Sequence, residues 1–223
     1  MGFDKGEEDV KTLVKALKEK PKFGRLCIYT LNCFGHLAKN RVNLDRMARE
    51  KTFPTILSTL ELHRDNPRII SEGCNPLISA CRVKEYAKQI ADDGGVEFCL
   101  KQLRSSKDKL SSARVADLLR ALCDGYPPNI DKIKELGGEE VLRETLAEAN
   151  RTKNKQLASS ILSVLERMTE DDNFARGTSE KTVVEIVESL KVFPAQPTVV
   201  LPALNALNNL IRIQGQPLID LLK

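Results

Sequence analysis

Apolar side chains recur along this chain at helical spacing, in groups that return at an almost fixed interval. Leu31, Phe34 and Leu37 are followed by Cys74, Leu77 and Ala80, then by Ala116, Leu119 and Leu122. Ser159, Leu162 and Leu165 come next, and Leu201, Leu204 and Leu207 complete the set, with successive offsets of 43, 42, 43 and 42. An independent register agrees: Leu17, Leu60, Leu103 and Leu146 are each 43 apart, and Leu190 falls one residue later. Steps of three within each group put the side chains on one helix face, and no segment keeps the alternation of a strand. Two apolar registers in step over five periods mark internal repetition. A plain helical bundle has no reason to keep such a period.

A third element lies between these registers. Asn43-Leu44-Asp45-Arg46-Met47 returns 86 residues on, twice the period, as Asn129-Ile130-Asp131-Lys132-Ile133. Eight residues after each Asn comes a break, Lys51-Thr52 in the earlier copy and Gly137-Gly138 in the later, with Gly94-Gly95 in register between them. A Gly pair suits a helix end that needs a left-handed residue before the chain reverses. Each repeat therefore reads as a short helix, a turn, a second helix, a polar link such as Asn150-Arg151-Thr152-Lys153-Asn154, and a longer third helix. The boundaries expected are 1–41, 42–83, 84–126, 127–169 and 170–213, with a further repeat or cap at 214–223. Pro76 predicts a kink or late start in its helix, and Pro202 predicts a helix start nearby, since a proline ring clashes with the preceding turn. In the fifth repeat Gly177 stands where Ile133 stood. Its first helix is expected to be short, with Thr178 or Ser179 capping the second.

Composition narrows the picture without changing it. At 41% hydrophobic and 30% charged, 223 residues can bury a sizeable core. Lys+Arg 35 against Asp+Glu 31 is only mildly basic, with the signs interspersed; that is not the basic stripe of a nucleic-acid binder. The absence of Trp argues against stacking platforms. Six cysteines, at 27, 33, 74, 81, 99 and 123, sit inside apolar runs, as reduced core residues do. No CxxC pair accompanies them, so no metal is expected. No stretch approaches the roughly 18 apolar residues of a spanning helix. With no apolar leader, a reducing compartment, cytosol or nucleus, is expected; Met1-Gly2 lacks the Ser or Thr at position 6 that myristoylation wants.

Three helices, a period near 42 and a Gly pair before the second helix resemble the armadillo repeat. Ala203-Leu204-Asn205-Ala206-Leu207-Asn208-Asn209-Leu210 is similar to the family's third-helix pattern A-L-W-A-L-S-N-L, and residues 129–138 are similar to its first helix and turn. The resemblance covers about residues 7–223 and implies an all-α fold. That fold is a right-handed superhelical α-solenoid of about five three-helix repeats, whose third helices line a concave groove that holds extended peptides. In importin-α-like members a Trp and an Asn, four residues apart on the third helix, read the peptide. Here the Trp position holds Gly35, Ile78, Arg120, Ser163 and Asn205, and the Asn position holds Lys39, Arg82, Asp124, Arg167 and Asn209. The ladder departs from that pattern in having four cations, Lys39, Arg82, Arg120 and Arg167, beside one acid, Asp124.

Two readings of the ladder follow. It either grips an extended acidic or phosphorylated segment by charge-assisted hydrogen bonds, or it is a wetted face whose charges pair internally, as Arg120 and Asp124 can at i, i+4. Four inter-helix gaps of ~10 Å would admit roughly a dozen residues of extended chain.

The expected function is a non-enzymatic scaffold or adaptor for such a segment. The alternative the resemblance allows is a regulator of a folded partner, of the small-GTPase exchange, chaperone or motor-associated kind. No phosphate loop, nucleophile elbow or HExxH motif occurs. No cofactor or catalytic residue is expected, and His36 reads as a packed core residue. Asp92-Asp93, Glu139-Glu140 and Asp171-Asp172 read as helix-end carboxylates. The first helix of the opening repeat is missing from the pattern, and an apolar stripe ends the chain at residues 217–223. Such ends suit a continuing array, a second subunit, or a last helix folded back as its own cap.

Overall fold

In the computed structural model, residues 5–105 and 108–221 are described. Met1-Gly2, Ser106-Lys107 of one polar link, and Leu222-Lys223 of the closing stripe lie outside them. Every described element is a helix, and the helices fall into three rows. The third-helix row is α2 (Gly24–Leu37), α5 (Pro67–Ala80), α8 (Lys109–Gly125), α11 (Lys155–Thr169) and α14 (Pro197–Gln214). Each of these packs on the next, giving one continuous ladder of helices. The second-helix row is α1 (Lys5–Glu19), α4 (Thr52–Leu62), α7 (Gly95–Ser105), α10 (Gly138–Arg151) and α13 (Glu180–Val192). The short first helices are α3 (Arg41–Arg49), α6 (Lys84–Asp92), α9 (Asn129–Glu135), α12 (Asp172–Gly177) and α15 (Gln216–Leu221).

The two apolar registers explain the stacking. Leu31, Phe34, Cys74, Leu77, Leu119, Leu122, Leu162 and Leu165 of the third helices are fully buried, and so is Leu60 of the second row. Full burial of each such Leu or Phe contributes about 1.5–3 kcal/mol. The polar links set where the third helices begin. Asn66, Asp108 and Asn154 accept from the backbone N–H of Ile69, Ser111 and Leu157, caps worth about 1 kcal/mol each.

The turns between first and second helices are left-handed, with φ of 96° at Gly94, 69° at Gly137 and 53° at Lys51. The second Gly of each pair serves a close approach. A Cβ at Gly138 would lie 2.7 Å from the Ile133 carbonyl oxygen, and one at Gly95 equally close to that of Ile90. As expected, α12 is short, and Ser179 caps α13 by accepting from the Thr182 N–H.

Several expectations need correction. α5 starts at Pro67 and runs through Pro76, so of the kink or late start expected there the late start does not occur. α14 starts at Pro197, so Pro202 lies in its second turn and leaves the Thr198 carbonyl without its helical donor. Ser159 Oγ of α11 donates to that oxygen at 2.7 Å, replacing the lost bond from the neighbouring repeat. Cys33 is exposed whereas the other five cysteines are buried, and His36 is also exposed. Both lie on a face of α2 that no preceding helix covers among the described residues. At the far end α15 folds back on α14 and buries Leu218. Uncovered apolar side chains there include Leu201 and Leu204 of α14, 60% and 49% exposed, and Ile219 of α15.

Candidate functional site

The third helices carry eight of the ten ladder positions, with Lys39 and Arg82 just beyond their ends, and the two halves of the ladder differ in electrostatics. In the second half the charges satisfy one another. Arg120 donates to Asp124 at 2.7 Å, one turn along α8. Arg167 Nε of α11 lies 3.2 Å from the same carboxylate, and its other nitrogen bonds Glu170. Asn205 donates to Glu166 at 2.7 Å, Asn209 approaches Thr169 Oγ1 at 3.4 Å, and Ser163 donates to its own helix at the Ser159 carbonyl. Arg120 and Arg167 therefore stand in a mixed-charge string from Asp124 to Glu170, in which the Arg120–Asp124 pair is the one that i, i+4 spacing allowed.

The first half is open. Lys39, just past the end of α2, and Arg82, just past the end of α5, are exposed and form no ion pair among the described residues. Gly35, Lys39 and Ile78 line a common cavity of about 350 Å³ with Asn32, His36, Asn75, Ser79, Glu72 and Arg114. Glu72 accepts from Asn32 at 3.2 Å, and Arg114 reaches Asp117 at 3.3 Å. A second concavity of about 380 Å³ along the same α2–α5 seam is lined by Arg25, Ile28, Tyr29 and Arg68. Tyr29 is 66% exposed and shares this concavity with the two arginines.

Asn32, Asn75, Arg25 and Arg68 were not singled out by the ladder, which followed one pair of positions four apart. Asn32 and Asn75 lie three residues before Gly35 and Ile78, on the same helix face. Extending the face by one turn toward the helix start would have found them.

Other polar clusters join repeats. Tyr86 donates to Asp45 one repeat back, and Arg41 holds the same carboxylate at 2.8 Å with its guanidinium carbon 5.4 Å from the Tyr86 ring centre. The Tyr86 hydrogen bond, with help from Arg41, holds Asp45 below the usual carboxylate range, while burial and that bond push Tyr86 up. Glu139 of α10 accepts from the Ser179 N–H and from both the Ser179 and Thr182 hydroxyls, at 2.7–2.8 Å.

His63 Nε2 lies 2.6 Å from the Pro21 carbonyl and 3.8 Å from Cys27 Sγ. The nitrogen nearest the thiol is thus committed as donor to a carbonyl, which leaves it no lone pair with which to take the Cys27 proton. Burial pushes the Cys27 thiol up, so this pair is a tie rather than an activated nucleophile. Burial likewise raises the thiols of Cys74 and Cys123 to about 12. Among the described residues no group of His, Cys, Asp and Glu could hold a metal ion, and no helix is long and apolar enough to cross a membrane.

No protein-family model matches the chain, and no curated protein matches it. Solved structures do. One is an engineered protein, 21% identical at a TM-score of 0.78, covering 91% of this chain and 79% of its own. A designed armadillo repeat protein is 14% identical at a TM-score of 0.81, over 95% of this chain and 87% of its own. Another designed armadillo repeat protein, in complex with the peptide (KR)4, is 12% identical at a TM-score of 0.77, over 95% and 90%. At these identities the likeness is one of fold, and it is to the armadillo-like repeat solenoid.

Proposed function

We propose that this armadillo-type solenoid is a protein-interaction scaffold that holds an extended, acidic segment of another protein along its third helices. The segment is gripped most firmly at the α2–α5 end. The observation that carries this reading is the unequal state of the four ladder cations. Arg120 and Arg167 are engaged with Asp124 and Glu170. Lys39 and Arg82 are exposed, without an ion pair among the described residues, and Lys39 lines a cavity of side-chain size. A cation that is already exposed needs little desolvation to meet a carboxylate, and a charge-assisted hydrogen bond there is stronger than a neutral one. The similar designed protein in complex with (KR)4 is an instance of this fold with a charged peptide; here the open charges are cations, so the fitting peptide has the opposite sign.

Binding of an acidic peptide of roughly a dozen residues, followed by calorimetry at low and physiological salt, tests the reading. Lys39→Ala and Arg82→Ala should each weaken binding about 3- to 10-fold, on the order of 1 kcal/mol. Asp124→Asn should strengthen it, because Arg120 and Arg167 lose their shared internal partner. Affinity should fall as salt rises and screens exposed charges beyond ~8 Å. Affinity unchanged by Lys39→Ala and Arg82→Ala would end the proposal. Binding that needs the partner's folded domain and is absent with the peptide would favour the regulator reading instead.

A further inference from the structure

The two ends of the third-helix row are complementary, and we infer that copies of this chain stack head to tail, the α14 face of one against the α2 face of the next. Each position at the two ends has counterparts one period away in the interior repeats. Leu204 is the counterpart of Phe34, Leu77, Leu119 and Leu162. Those four are 0% exposed, and Leu204 is 49% exposed. Leu201 is the counterpart of Leu31, Cys74 and Ala116, all at 0%, yet it is 60% exposed. In the interior this register faces the following repeat: Ser159, the remaining counterpart of Leu201, donates across the junction to Thr198 of α14.

The opposite face shows the converse. Val199, Ala203 and Ala206 of α14 are all 0% exposed. Their counterparts in α2, Tyr29, Cys33 and His36, are exposed. This register faces the preceding repeat. Pro76, the counterpart of Cys33 in α5, lies 4.0 Å from where a Cβ on Gly35 of α2 would stand. So α2 is closed toward the following repeat and open toward a preceding one, while α14 is closed behind and open ahead. The occupant that fits the open face of α14 is a helix presenting the backward register of this same array, and the chain carries one free copy of that register, on α2. Tyr29 and His36 stand where this face turns into the groove, since both also line its cavities; Cys33 and Leu204 belong to the stacking faces alone.

An interface that joins two different surfaces is heterologous, and repeated it builds an open chain rather than a closed dimer. That gives a test which a two-fold dimer would fail. Sedimentation under reducing agent, over a roughly hundredfold concentration range, should show a wild-type mass that climbs past two chains. Leu204→Glu blocks only the tail and Cys33→Glu only the head. Both positions are exposed in the single chain, so circular dichroism and the melting temperature should be unchanged. Each variant alone should remain one chain at every concentration, and an equimolar mixture should form a species of two chains and no larger. Three results would overturn the inference: a wild type that is one chain throughout, variants that still associate, or blocked variants that fail to pair when mixed.

Discussion

Lys51 shows how a single residue departs from the pattern its neighbours set. The turn into the second helix is left-handed in three repeats, and in two of them a Gly holds that position without a Cβ penalty. Lys51 adopts φ of 53° there with a full side chain. The next residue, Thr52, is fully buried, and its hydroxyl is the buried side-chain atom without a hydrogen-bond partner among the described residues. Lys51→Gly should therefore raise stability by about 1 kcal/mol, and Gly137→Ala should lower it by a similar amount, both read as shifts in the urea midpoint. Thiol chemistry is decided at the same scale. Cys33 is exposed, while burial raises the thiols of Cys74, Cys81, Cys99 and Cys123. A thiol reagent at neutral pH should titrate Cys33 alone in the folded protein and all six cysteines after unfolding; rapid reaction of more than one in the folded state would contradict the packing described. Asp45 carries a pH signature. Its folded pKa is depressed, so its contribution is present above the usual carboxylate value of about 3.9 and is lost as pH falls through the lowered value. Asp45→Asn should flatten the acid limb of the stability profile relative to wild type.

At the scale of the element, most of the architecture was legible in the chain, and the reason is physical. Every interior third helix buries the same face against the same neighbours, so the period is written once per repeat. The polar links could be read as breaks, and the structure shows that Asn66, Asp108 and Asn154 in them are also helix caps. What escaped is whatever depends on a neighbour one repeat away. Arg120 with Asp124 is visible as an i, i+4 pair, but Arg167 reaching the same carboxylate from 43 residues on is not. Pro202 is another case: its helix tolerates the ring inside the second turn because Ser159 satisfies the Thr198 carbonyl. Ser159→Ala should leave that acceptor without its donor and destabilise α14 by about 1–2 kcal/mol, measurable as earlier amide exchange in α14 than in α8. Cys33 and His36 were expected in the core for the same reason. Their helix has the interior sequence pattern but stands at the end of the row, where the face that would be covered is open.

For the whole molecule, stability in a stacked array is close to a sum of repeat and nearest-neighbour terms. The third helices joined to another on both sides are α5, α8 and α11. That arrangement leaves one long surface of third helices, with cations open at the α2–α5 end and internally paired from α8 onward. The claim that this surface takes an acidic segment is most directly tested by amide chemical-shift mapping during titration with an acidic peptide, with a Lys-Arg peptide as the control. The shifts predicted are largest around Lys39, Asn75, Ile78 and Arg82, smaller along α8 and α11, and absent with the basic peptide. Shifts lying off the third helices, or equal responses to both peptides, would contradict the account.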